Sequence, residues 1–222
     1  MNIEYILPLV TFWHTISSQI AKYNSPEITN NAVSFIHCLS YIAHYKYEYN
    51  LDYAIHISIG FYIYDLFFIL QRIYHQESSK RKDEFKKQFP FITHHIAGSY
   101  LLYSALTDKG GEYILGAFLI LENSNIMIYV SYYMHKQQSE YLRLCAVSEF
   151  AQLITYTYYR LFVLSVFINE HSVPFFNYPF ITQFLIILVY LMGYAWSYRL
   201  LKKNVRNFYR VAALSKKYSS AG

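Results

Sequence analysis

The segment YAIHISIGFYIYDLFFILQRIY, Tyr53–Tyr74, decides how this chain folds. A helix needs about 20 mostly apolar residues to cross the hydrocarbon of a bilayer, and this run supplies them with Asp65 inside it and Arg72 near its end. It is too long for a strand, and it lacks the alternation of a barrel strand. Six more stretches of the same kind lie outward from it, at Ile3–Ile20, Ile28–Tyr45, Phe89–Leu106, Tyr113–Met134, Arg143–Ile168 and Phe180–Leu201. The expected fold is therefore all-α, a polytopic membrane protein with about seven transmembrane helices. The first stretch is the weakest, with Pro8, His14, Ser17 and Ser18 inside it. Without a basic start or a small-residue cleavage site, it does not read as a secretory signal. No repeat, low-complexity segment or linker marks off a second domain.

Composition agrees. Hydrophobic residues make up 55% and charged residues 15% of the 222, against about 25% charged in a typical soluble chain. The mean hydropathy of +0.14 is held down by 26 tyrosines, whose phenols sit well at a membrane interface or inside a bundle. An AT-rich coding sequence would raise tyrosine, asparagine, isoleucine and lysine together, so the aromatic load need not be a binding cage. Cys38 and Cys145 fall in or beside apolar runs and imply no disulfide framework.

The net charge of +5 does not point to nucleic acid, because of where the charges lie. Arg72, Lys80, Arg81, Lys82, Lys86 and Lys87 follow the third stretch, and Arg199, Lys202, Lys203, Arg206, Arg210, Lys216 and Lys217 form the tail. Lys136 and Arg143 lie between the fifth and sixth stretches, and Lys22 between the first and second. Seven crossings put all sixteen on one side and leave Lys46 and Lys109 on the other, with Arg160 inside a helix. By the positive-inside rule the carboxyl terminus is expected in the cytosol, with the basic segments against anionic headgroups.

Ionisable groups within membrane helices are costly and commonly face the bundle interior. His37, with Ser34, Tyr41 and His44, follows one face of the second helix; Asp65 shares a face with Ser58 and Tyr62; His94 and His95 enter the fourth together. The fifth contains Glu122-Asn123-Ser124-Asn125, and the sixth places Glu149, Gln152, Tyr156 and Arg160 on one stripe. At 1.5 Å rise per residue, Asp65, His37, His95 and Glu122 lie roughly 9–18 Å from the basic helix ends. Such a layer can surround a polar cavity for lipid-derived substrates, with His37, Tyr62 and Asn125 in its lining. Each group could instead simply join one helix to another by hydrogen bonds. Arg160 with Glu149 reads as structural, since arginine readily satisfies a carboxyl or helix carbonyls. Adjacent histidines differ by about 100° around a helix, so one can line the cavity while the other bonds to a neighbouring helix. Neutral imidazole can serve as base or nucleophile, and transfer through an acyl-imidazole is chemically reasonable.

Taken in order, Asn31-Ala-Val-Ser-Phe-Ile-His37, Ser58-Ile-Gly-Phe-Tyr-Ile-Tyr-Asp65, Thr93-His-His-Ile-Ala97 and Leu121-Glu-Asn-Ser124 resemble the TRAM–LAG1–CLN8 (TLC) domain over roughly residues 30–201. The resemblance implies a multi-pass protein of the endoplasmic reticulum type that acts on, or responds to, membrane lipids, with six helices in a ring around a cavity. Its ceramide synthases transfer a fatty acyl group from acyl-CoA to a sphingoid amine, and their paired histidines match His94 and His95. Carried over, the resemblance makes His94, His95, Asp65 and Glu122 the candidate catalytic residues, with acyl-CoA as co-substrate and no bound cofactor or metal. Ceramide synthases carry a His-Asp and a further Asp in the next helix, where this chain has one acid in Leu121-Glu122-Asn123-Ser124-Asn125. It is in this respect more similar to the non-synthase branch, whose roles include control of membrane composition and cargo transport, so a lipid-binding regulator stands beside the acyltransferase. The expected division is an N-terminal helix and loop over 1–27, a TLC-like domain over 28–201 and a basic tail over 202–222. Nothing in the sequence sets the oligomeric state.

Other membrane classes fit less well. The last stretch has no lysine for a retinal Schiff base, and neither Asp-Arg-Tyr nor Asn-Pro-x-x-Tyr occurs. A di-iron hydroxylase needs several close histidine sets, and His94-His95 is the one tight pair. A transporter would show matched halves with broken helices, which are absent.

Overall fold

The structure, a computed structural model, describes residues 3–47, 51–107, 111–137 and 142–219. These residues are helical or in short turns, with no strand among them. The elements are α1 (Ile3–Ala21), α2 (Pro26–Lys46), α3 (Leu51–Tyr74), α4 (Ser78–Thr107), α5 (Gly111–Gln137), α6 (Leu142–Thr157), α7 (Leu164–Glu170), α8 (Ser172–Asn177) and α9 (Phe180–Ser219). One π-helical turn, Tyr158–Val163, joins α6 to α7, so the expected sixth helix is present with a widened turn in its middle. Lys109 and the connection 138–141 lie outside the described residues.

Four helical spans are long and apolar enough to cross a membrane: Leu51–Tyr74, Gly111–Lys136, Leu144–Glu170 and Phe180–Tyr209. The chain is an all-α polytopic membrane protein. In the last two spans only 22% of the apolar window is buried, and Phe150, Ile154, Phe162, Phe184, Ile187 and Leu191 are exposed. In water so wide an apolar surface would drive aggregation; lipid tails cover it. α1, α2 and α4 fall outside that set. α1 contains Pro8, α2 carries Asn30, Asn31, Ser34 and His37, and α4 opens with the charged run Ser78–Gln88.

That opening is the first difference from the sequence-based boundaries. The fourth helix begins at Ser78 rather than Phe89, because the connection is made of good helix formers. Ion pairs at three-residue spacing accompany it, Lys80–Glu77 and Lys86–Asp83 exposed and Lys87–Glu84 with a buried carboxylate. Likewise α9 runs unbroken past Leu201 to Ser219, so the basic tail is largely a continuation of the last helix. At the other boundary, Ser25 caps α2 by accepting from the Ile28 N–H and Pro26 opens its first turn.

Neighbouring helices close a six-membered ring in the order α2–α3–α4–α9–α6–α5 and back to α2. α1 stands outside against α3 and α2. The Trp13 indole N–H donates to the Ile57 carbonyl at 3.0 Å. A methyl group on Gly60 would lie 2.7 Å from the Leu9 Cβ, so this glycine permits the close approach of α1 to α3. Within the ring α4 also touches α5. Leu101, Leu102, Ile114, Leu115 and Phe118 belong to the apolar cluster there and plug the end where α4 runs into α5. The opposite end, where α2 and α4 begin and α3 and α5 end, is open.

Candidate functional site

The open half of the ring holds a polar cavity of about 1010 Å³. Five helices of the ring and the π-turn that follows α6 contribute to its wall: Asn31, Ser34 and His37 from α2; Tyr62 and Asp65 from α3; His94 and His95 from α4; Glu122 and Asn125 from α5; Arg160 from the π-turn; Trp196 from α9. All seven residues singled out from the sequence therefore line one space, although their interactions differ.

His95 and Asp65 form a pair. The Nε2 of His95 lies 2.7 Å from Oδ2 of Asp65, and both side chains are buried. A neutral imidazole that donates through Nε2 keeps a lone pair on Nδ1. Among the described residues that Nδ1 and the second Asp65 oxygen have no hydrogen-bond partner. The backbone explains the meeting: α3 and α4 are antiparallel neighbours joined by the short turn after Tyr74.

His94 is placed differently. Its ring packs edge-on to Tyr62 and Trp196, at 6.1 and 6.0 Å between centroids, and 5.5 Å from the His95 ring. Among the described residues no hydrogen bond to His94 is formed. Both histidines line the cavity, yet only His95 is bound to a neighbouring helix.

Glu122 is buried and accepts from the Tyr62 hydroxyl at 3.4 Å and the Asn125 amide at 3.3 Å. It is hydrogen-bonded to neither histidine. His37 is buried, with Nε2 2.9 Å from the Ser58 hydroxyl and its ring stacked on Phe61 at 4.1 Å.

Arg160 corrects an expectation. Glu149, its supposed partner, lies eleven residues away, roughly 16 Å along a helix. That carboxylate instead meets His135 at 2.6 Å, Lys203 at 2.7 Å and Asn207. It joins α5, α6 and α9 outside the cavity. Arg160 turns inward, donating to the Ser124 hydroxyl at 2.8 Å and the Asn125 side-chain oxygen Oδ1 at 3.1 Å. Trp196 and the residues of the mouth were not anticipated either. A lone arginine inside a membrane helix was the available signal; an aromatic residue such as Trp196 in an apolar run gives none.

The mouth is ringed by charge. Glu27 at the start of α2 meets Lys136 of α5 at 2.5 Å and Arg72 of α3 at 3.8 Å, and Arg72 meets Glu84 of α4 at 3.2 Å. The hydrogen bond from Lys136 and its charge hold the Glu27 carboxyl below the usual carboxylate range. Four helices are thus tied at the rim; the two Glu27 pairs are exposed and salt weakens them, while the Arg72–Glu84 pair has a buried carboxylate.

Residues 9–202 match the family model of the TLC domain, beginning inside α1 and ending in the basic part of α9. No curated protein and no solved structure matches the chain. The matched segment covers most of the sequence and all the cavity-lining residues, and the chain belongs to the TLC-domain family.

Proposed function

We propose that this TLC-domain protein acts on membrane lipids by transferring an acyl group through a histidine in the intramembrane cavity. The observation that carries the proposal is the division of labour at the pair: His95 is held by Asp65 at 2.7 Å, while His94 beside it lines the same polar space with no hydrogen bond among the described residues. An imidazole free of hydrogen bonds can attack, and one oriented by a carboxylate can manage the proton.

In the first step a ring nitrogen of His94 attacks the carbonyl carbon of an acyl-CoA thioester. The carbon–nitrogen bond forms, the carbon–sulfur bond breaks, and the thiolate leaves with the proton that the imidazolium gives up. In the second step an acceptor hydroxyl or amine attacks the acyl-imidazole. Its proton passes to Nδ1 of His95, whose Nε2–H Asp65 holds, and His95 returns it to the departing His94 nitrogen, so that the carbon–nitrogen bond breaks and both imidazoles end neutral. The charged rim admits the polar donor, while the hydrocarbon chain lies against apolar wall. Glu122, bonded to Tyr62 and Asn125, shapes the cavity in this scheme.

One observation favours a second function. The fifth helix offers a single acid in 121–125, and Glu122 is engaged away from both histidines. A cavity so arranged suits a non-enzymatic regulator that holds a lipid headgroup. Whole-cell lipid profiles separate the two. Cells with the wild-type protein should differ in acyl-lipid composition from cells with His94→Ala, and the variant should resemble cells lacking the protein. A variant that fully restores the wild-type profile would leave only the regulator.

The protein so proposed lies in the endoplasmic reticulum membrane, crosses seven times and keeps its carboxyl terminus in the cytosol, on the charge asymmetry. The chain contains no Asn-x-Ser/Thr sequon, so a glycosylation reporter fused after Gly222 reports on that end alone. It should remain unglycosylated; a glycosylated reporter would overturn this topology.

A further inference from the structure

The arginine on the cavity wall has an unmet requirement. Arg160 is 2% exposed, and a buried charge is costly unless it is paired. Its Nε and Nη2 go to neutral acceptors, Ser124 and Asn125, and its guanidinium lies 4.9 Å over the Tyr156 ring. Among the described residues no carboxylate forms an ion pair with it. Glu122 is reached only through Asn125, whose amide is shared between the two. The third nitrogen, Nη1, is buried with no hydrogen-bond partner among the described residues, and the residue borders the polar cavity.

The backbone helps present the group. Arg160 lies in the widened π-turn Tyr158–Val163, and such insertions recur at functional sites. A guanidinium fixed at two nitrogens and free at the third is a preorganised donor for a carboxylate or phosphate oxygen.

We infer that Arg160 is an anion-binding residue, and that the cavity takes an amphipath whose carboxylate or phosphate headgroup lies against Nη1. The acids fix where the anion sits. Asp65, with an unpartnered oxygen, lies with His95 on the α3–α4 wall, and Glu122 is covered by Tyr62 and Asn125. The negative headgroup therefore docks on the α6–α7 side. A volume of about 1010 Å³ accommodates the head with part of its chain, and the apolar ring walls suit an amphipath over a small free anion. This inference concerns binding alone and stands whether or not acyl transfer occurs, so the absence of an acyl adduct would leave it intact.

The test compares probes of matched chain length on the full-length protein in a non-ionic maltoside detergent. Oleate and oleoyl-lysophosphatidate should raise the unfolding temperature saturably and bind at least about tenfold more tightly than monoolein, a neutral amphipath. Inorganic phosphate alone should give no comparable protection. Arg160→Gln should bring oleate down to the affinity of monoolein, and Arg160→Lys should retain part of the preference. Equal binding of oleate and monoolein by the wild-type protein would overturn the inference, and this comparison decides the matter even if Arg160→Gln does not fold. A folded Arg160→Gln protein that keeps the preference would also overturn it. Protection by phosphate equal to that by the lipids would overturn the amphipathic ligand.

Discussion

His94→Ala is expected to lower acyl transfer by about 10³-fold or more, the scale seen when a covalent nucleophile is removed. The fold should survive, because among the described residues His94 makes ring contacts with Tyr62, Trp196 and His95 and no hydrogen bond. An unfolding temperature near wild type together with lost turnover marks a residue that reacts. His94→Gln, which keeps a polar side chain of similar size, should be equally inactive. Transfer of labelled acyl groups from acyl-CoA to lipid, followed in reconstituted membranes, is the measurement. A His94→Ala protein with turnover within a few fold of wild type would remove His94 from the chemistry.

Asp65→Asn should slow transfer by about 10²–10⁴-fold without removing the nucleophile. As a carboxylate, Asp65 accepts the Nε2–H of His95 and leaves Nδ1 basic. An asparagine amide can instead donate to Nε2. The ring proton then sits on Nδ1, and the base is lost through the wrong tautomer. The defect should fall on the second step, so the acyl-enzyme should accumulate in Asp65→Asn. Asp65→Glu, which restores a carboxylate, should recover part of the rate. Glu122→Gln should cost less than about tenfold, since Glu122 is hydrogen-bonded to Tyr62 and Asn125 and to neither histidine. A larger defect in Glu122→Gln than in Asp65→Asn would exchange their roles.

The fold was legible where apolar length is the dominant signal. Tyr53–Tyr74 and Tyr113–Met134 agree with α3 and α5 to within a few residues, because lipid demands a nearly continuous apolar run. Beyond the membrane that signal is absent, and helices persist on propensity and ion pairs alone. That is why α4 starts at Ser78 and α9 continues to Ser219. Three of the ring's six helices, α3, α5 and α9, each hold a span that meets the apolar criterion unbroken, and the sixth does so only across its π-turn. α2 and α4 fall short partly because they donate His37, His94 and His95 to the cavity, so the site itself erodes the hydropathy signal.

The site was legible as a list and not as an arrangement. Asp65, His95 and Glu122 stood out because each is an ionisable group in an apolar run. Which carboxylate met which histidine depended on the packing of α3 on α4, which no spacing encodes. Arg160 and Glu149 share a helical stripe, which suggested a pair; three turns of separation and the π-turn send them to different neighbours. Trp196 was invisible because an aromatic residue in a membrane helix needs no special explanation.

Intact-mass spectrometry of the purified protein incubated with acyl-CoA tests acyl transfer through His94 most directly. The expected result is a mass increase of one acyl group that hydroxylamine removes, present in the wild type, enriched in Asp65→Asn and absent in His94→Ala. No adduct and no turnover with long- and very-long-chain donors, on folded protein that still co-purifies with lipid, would contradict it.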